Sequence, residues 1–147
     1  MKNLIAYFSA SGVTREFASK ICEKVNGELY EIKPITEYSK SDLNWMNPLS
    51  RSSKEMRDKN SRPEIKGELP NIEKYDKIYV GFPVWWYTCP HIIDTFLEHY
   101  NFDGKEVIVF FTSGSTKEDK IQKSMEGRYP YIKKYVRVAN DSDIDKL

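Results

Sequence analysis

Leu4-Ile5-Ala6-Tyr7-Phe8-Ser9-Ala10-Ser11-Gly12-Val13-Thr14 carries the reading of the fold. Five apolar residues run without a break and stop at four small ones. A short unbroken apolar run of this kind fits a strand buried on both faces, as in a parallel sheet. Directly after it, Val13, Phe17, Ala18, Ile21 and Val25 recur at helical spacing, which predicts a helix over Val13–Val25 with Gly27 as its stop. A buried strand, a small-residue turn and a helix make the first half of a β-α-β unit.

Outward from there the pattern repeats. Strands are predicted at Glu28–Ile32, Lys77–Phe82, Glu106–Phe111 and Tyr135–Ala139, and Pro83 is expected to break the third. Helices are predicted from Pro90, whose ring suits a first turn, and over Lys117–Met125. Between strands two and three lies a polar connection, Pro34 to Tyr75, with a helical piece around Ser50–Lys59. A connection of that length is usually functional or mobile. It carries Trp45, Arg51 and Arg57 and is expected to form a lid, a docking surface or a loosely packed insertion. Alternation of strands and helices argues for a parallel sheet with helices on both faces.

Composition narrows the class. With 147 residues, one domain over 1–147 is expected. The 23 basic and 22 acidic residues leave a net charge of +1, so no basic excess points to nucleic acid. Cys22 and Cys89 form no C-x-x-C pair, which fits a reducing compartment. The apolar run near Met1 is too short for a signal-peptide core, and no stretch approaches the ~20 apolar residues of a membrane span. A cytoplasmic protein without a membrane partner is expected.

Three strands end in unusual loops, and in an open parallel sheet ligands lie outside the carboxyl ends of the strands. In the first loop, hydroxyls of Ser9, Ser11 and Thr14 can bond phosphate oxygens. Gly12 allows close backbone approach, and the helix start adds free amides and a positive dipole end. The same Ser and Thr residues would equally serve as helix caps. No Lys follows as in the P-loop, and the G-x-G-x-x-G pattern is absent. The second loop, Gly81-Phe82-Pro83-Val84-Trp85-Trp86-Tyr87-Thr88-Cys89-Pro90, offers three adjacent aromatic rings for stacking a conjugated ring. The third, Thr112-Ser113-Gly114-Ser115, suits the polar edge of such a ring. A planar heteroaromatic ring with a terminal phosphate meets all three demands, and FMN has that shape.

Other chemistry finds less support. His91, Asp94, Glu98 and His99 share one predicted helix without convincing metal-ligand spacing. Nothing near Cys89 in sequence would activate its thiol. There is no G-x-S-x-G elbow for a hydrolase, and no Cys followed five residues later by Arg for a phosphatase.

At S-A-S-G-V-T, G-F-P-V-W-W and F-T-S-G-S the chain resembles the flavodoxin family, in particular its members with a G-x-P-[IV]-W-W loop. The resemblance implies a three-layer, doubly wound α/β sandwich with a five-stranded parallel sheet in the order 2-1-3-4-5. It implies an FMN flavoprotein in electron transport, or an oxidoreductase passing electrons from NAD(P)H to a quinone-like acceptor. Ser9, Ala10, Ser11, Gly12, Val13 and Thr14 would hold the phosphate. Pro83, Val84, Trp85 and Trp86 would line the ring, and Thr112, Ser113, Gly114 and Ser115 would meet its pyrimidine edge. Which Trp stacks is left open. A redox partner protein or a small quinone-like acceptor follows as partner, and a non-redox module for a phosphorylated ligand is the remaining alternative.

The chain departs from the family in three ways. Its charge is even where flavodoxin carriers are strongly acidic, which weakens the case for steered docking. Ser115 replaces one Gly of the usual pair. The family's C-terminal helix is missing, with only Asn140–Leu147 after the fifth strand. Right-handed crossovers place that helix on the face of the first, so apolar sheet surface is expected to be bare and a second subunit, as a homodimer, to cover it.

Overall fold

The computed structural model describes residues 2–147. Five strands, β1 (Asn3–Tyr7), β2 (Glu28–Glu31), β3 (Lys77–Pro83), β4 (Glu106–Thr112) and β5 (Ile132–Arg137), form one sheet in the order β2-β1-β3-β4-β5. Every pairing is parallel. Four helices flank it: α1 (Val13–Val25), α2 (Arg51–Arg57), α3 (His91–His99) and α4 (Glu118–Met125). The parallel sheet is the one the alternation predicts, and the strand order is the one the resemblance implies.

The period of two along each strand divides the core. Leu4, Ala6, Phe8, Ile78, Val80, Phe82, Val107, Val109 and Phe111 face one way and pack with Ile92, Ile93 and Phe96 of α3 and Ile121 and Met125 of α4. Ile5, Tyr7, Tyr79, Ile108, Phe110 and Val136 face the other way, against Ala18 and Ile21 of α1. Continuous apolar strands are required because both faces are covered.

Several boundaries differ from the sequence reading. Pro83 ends β3 from within, paired with Thr112, and the Val84 amide bonds the Thr112 carbonyl at 2.9 Å. β5 begins at Ile132, three residues before the predicted start. The helix stop is Asn26, not Gly27: Asn26 takes the left-handed conformation, with φ 52°. Gly27 serves a different need, because a Cβ there would lie 2.5 Å from Ile5 Cδ1.

The expected bare face is not bare. Residues Asp141–Lys146 form a 3-10 turn after β5, and Ile144, only 6% exposed, is driven into the α1 face. Lys20 and Lys24 of α1 reach Asp141 and Asp145 at 2.7 and 2.5 Å. Asp143 bonds Lys146 and accepts from the Ala139 and Asn140 amides; Lys146 first, then these amides, hold its carboxyl down to about 2. Tyr79, Ile108, Phe110 and Val136 are all 4% exposed or less. No uncovered sheet surface on that face therefore calls for a second subunit. Among the described residues, no helix is long and apolar enough to cross a membrane.

Candidate functional site

Strands β1, β3 and β4 deliver their loops to the same end of the sheet, as their register requires: Tyr7 pairs with Gly81, and Gly81 with Phe110. The loops are joined at their bases. Phe8 donates its amide to the Gly81 carbonyl at 2.9 Å, and Thr14 and Thr112, both buried, share a hydroxyl hydrogen bond of 3.0 Å.

In the first loop the predicted hydroxyls divide. Ser9 Oγ accepts from the Gly12 and Arg15 amides at 3.1 and 3.2 Å, so it caps α1, and the Thr14 hydroxyl is spent on Thr112. Ser11 stays exposed, and the amides of Ser11, Val13 and Thr14 find no acceptor among the described residues. Gly12 makes the turn with φ 95°. A phosphate thus has one hydroxyl, three free amides and the helix dipole to meet it, a donor set suited to an anion.

The second loop is a two-residue hairpin. Trp85 and Thr88 exchange both backbone hydrogen bonds, at 3.0 and 3.1 Å, and Trp86 and Tyr87 between them take φ values of 52° and 64°. Each left-handed non-glycine residue costs roughly 1–3 kcal/mol, a strain held by the surrounding fold. The turn separates the two tryptophans. Trp85 turns inward, edge-on to Phe8 and Tyr38 at 5.5 and 5.3 Å. Trp86 stands out with 45% exposure, and Lys120 Nζ lies 5.3 Å from the Tyr87 ring.

Trp85, Trp86, Val84 and Tyr87 line a cleft of about 600 Å³ together with Ser113, Gly114, Ser115 and Thr116. Leu43, Trp45 and Ser52 of the long connection complete it. That volume lies in the range of small-molecule sites. The first loop does not line this cleft: Ser9 and Ala10 line a smaller recess of about 150 Å³ beside it, with Arg15, Glu31 and Lys33. Pro83, at the end of β3, is not among the residues lining the cleft.

The long connection is ordered by its arginines. The Arg51 guanidinium lies 3.9 Å from the centre of the Tyr38 ring, bonds Glu55 and donates to the Thr36 carbonyl. Arg57 donates to the Pro48 carbonyl. Tyr38 donates to Glu55 at 2.5 Å, and burial with that carboxylate raises its hydroxyl far above the ordinary value.

Asp94 of α3 is fully buried, ion-paired with Arg128 and bonded by the Tyr129 hydroxyl at 2.5 Å. Burial, with Asp94 adjacent, pushes the Cys89 thiol far up, the opposite of what a redox thiolate needs. Burial lowers His91, whose Nδ1 has no partner among the described residues. Among the described residues, no three His, Cys, Asp or Glu side chains cluster as a metal site.

Five wall residues, Leu43, Trp45, Ser52, Tyr87 and Thr116, were not assigned to the ring site from sequence. Nor was Arg137 at the end of β5, which bonds Ser113 and Gly114 of the third loop. Tyr87 sits in the aromatic run, and Leu43, Trp45 and Ser52 sit in the long connection, where a lid is one of the expected roles; Thr116 and Arg137 carry no such signal.

Comparison with known proteins agrees with this geometry. The flavodoxin family model matches residues 2–144. A protein from Bacteroides uniformis ATCC 8492, provisionally described as a flavoprotein, shares 42% identity over 99% of this chain and 96% of its own, with a TM-score of 0.90. A flavoprotein in complex with FMN from Lactobacillus acidophilus NCFM shares 28% identity over 99% and 97% of the two chains, with a TM-score of 0.78. An archaeal flavodoxin, 18% identical over 99% and 90% of the chains at a TM-score of 0.58, shares the fold. No curated protein matches. With the sheet order, the loop cluster and the near-complete family match in agreement, the chain belongs to the flavodoxin family.

Proposed function

We propose that this flavodoxin-family chain binds FMN and acts in electron transfer. The observation that carries the reading is the strained turn at Trp86. It holds an exposed aromatic side chain on a cleft that the small polar residues Ser113–Thr116 also line. Such strain persists where function uses it. Trp86 and Val84 would hold the ring, Ser113–Ser115 its pyrimidine edge, and Ser11 with the free amides of Val13 and Thr14 the phosphate. Trp85, which also lines the cleft, would fix the turn through Phe8 and Tyr38. Bound there, FMN supplies the redox chemistry, which the protein orients and tunes. The FMN complex of the L. acidophilus flavoprotein supports the choice of cofactor.

Titration with FMN, followed by tryptophan fluorescence, tests the proposal. Quenching with a saturable dissociation constant is expected, and riboflavin is expected to bind at least about tenfold more weakly for want of the phosphate, a loss of about 1.4 kcal/mol. A colourless protein whose fluorescence ignores added FMN would remove the reading.

A second reading, transfer from a reduced nicotinamide to a quinone-like acceptor, is favoured by the even charge of the chain and by Leu43 and Trp45 beside the ring site. Quinone-dependent oxidation of NAD(P)H by the FMN-loaded protein would distinguish it from a carrier.

A further inference from the structure

Arg137 closes β5 at the edge of the candidate site, next to the end of β4 where the third loop begins. Its Nε donates to Ser113 Oγ at 3.2 Å. Its Nη2 donates to the Ser113 carbonyl at 3.0 Å and to the Gly114 carbonyl at 2.8 Å. Ser113 Oγ passes its own proton to the Thr116 carbonyl at 2.7 Å, which closes the loop. One guanidinium fork therefore orders the whole turn.

The planar trans peptide converts this into a prediction about donors. When the Ser113 and Gly114 carbonyls point at Arg137, the N–H groups on the far side of those peptide planes, those of Gly114 and Ser115, point away from it. Both residues line the cleft. Neither amide has an acceptor among the described residues.

The charge is also unusual. Arg137 is half-buried and forms no ion pair with any described carboxylate. Glu118, nearest in the network, bonds the Arg137 backbone amide instead. The guanidinium's hydrogen-bond partners among the described residues are neutral oxygens of the loop.

We infer that Arg137 is a positioning residue that aims the Gly114 and Ser115 amides at the pyrimidine edge of the bound flavin and, through its charge, raises the flavin's reduction potential. The inference rests on the FMN reading above. Uptake of two electrons and one proton leaves the ring with one added negative charge. A fixed cation behind the loop that faces that edge favours the reduced form over the oxidised one. The electrons come from an external reductant, as in any potentiometric titration.

The test uses the full chain with FMN, as wild type, Arg137→Gln and Arg137→Lys. Each is read by its dissociation constant for oxidised FMN and by its midpoint potential against a reference dye. Arg137→Gln is expected to weaken binding of reduced FMN about tenfold more than that of oxidised FMN, a drop of about 30 mV for a two-electron couple. Arg137→Lys is expected to restore most of the potential. It is still expected to bind oxidised FMN more weakly than wild type, since a point charge does not replace the planar fork across three acceptors. Equal potentials for wild type and Arg137→Gln overturn the inference, as does Arg137→Lys behaving like Arg137→Gln. Thermal melting without FMN checks each fold. Should Arg137→Gln fail to fold, Arg137→Lys decides alone, by keeping the potential while losing affinity. Wild type that takes up no FMN refutes the FMN reading itself, whereas uptake with no shift refutes only the role of Arg137.

Discussion

Gly81-Phe82 and Trp86-Tyr87 belong to one aromatic stretch, yet the structure sets them to opposite tasks. Gly81 lies in the middle of the sheet with the Phe110 ring against its Cα; a Cβ would fall 2.1 Å from Phe110 Cζ. Phe82 is fully buried beside Phe111, ring centres 6.4 Å apart. Trp86 and Tyr87, a few residues on, are exposed and held in left-handed backbone that neither prefers. The first pair relaxes the core and the second strains the rim. A motif that reads as one ring-binding unit is thus half packing and half site, and its glycine is needed by Phe110 rather than by a ligand.

Gly81→Ala should give the largest effect. The clash meets a fully buried ring in a central strand, so a loss of about 3 kcal/mol, the upper end of ordinary overpacking, is expected. For a chain of this size that lowers Tm by roughly 6–12 °C. Adding Phe110→Leu should recover part of it, because the two positions share one volume. The protein that remains folded should bind FMN with near wild-type affinity. Loss of affinity with unchanged Tm would place Gly81 in the site and erase the division.

Exchange of the rim pair should move stability and binding in opposite directions. Trp86→Asn with Tyr87→Gly installs the sequence this turn form favours, easing the left-handed penalty at 86 and removing it at 87, for a gain of about 2 kcal/mol in unliganded stability. The same change removes the stacking face, and FMN affinity should fall about tenfold or more. A variant that is less stable, or that binds FMN unchanged, would show that the turn is not strained for the ligand.

The sequence was informative where physics is local and periodic. The apolar runs of β1, β3 and β4 and the spacing in α1 announced a parallel sheet, and the sheet order follows the resemblance those loops carry. It was uninformative where one residue acts across the fold. Ile144 is a single apolar residue in a polar tail, without period, yet it seals the α1 face. Leu43, Trp45 and Ser52 reach the cleft from a connection whose path depends on Arg51 and Tyr38. Arg137 looks like any cation at a strand end until the register sets it beside Ser113. In the first loop, residue types were readable but their partners were not: Ser9 and Thr14 bond the protein itself, leaving Ser11 and the amides for an anion.

Thr88 offers the smallest and sharpest separation of rim from core. Its hydroxyl donates to Ser124 Oγ at 2.9 Å and ties the strained turn to α4, while its backbone closes the hairpin on Trp85. Thr88→Val keeps the shape and the backbone pair and removes only the tie. Ser124 still donates to the Ile121 carbonyl at 2.8 Å, so no donor is stranded, and the loss should be about 1 kcal/mol, or ~3 °C in Tm. If the hairpin bonds and the packing of Trp85 on Phe8 and Tyr38 set the turn, FMN affinity should change by less than about threefold, under 0.7 kcal/mol. A drop as large as that of the Trp86–Tyr87 exchange would mean that α4 holds the turn open, and the strained rim would then owe its shape to the face of the sheet that carries Asp94 and Arg128.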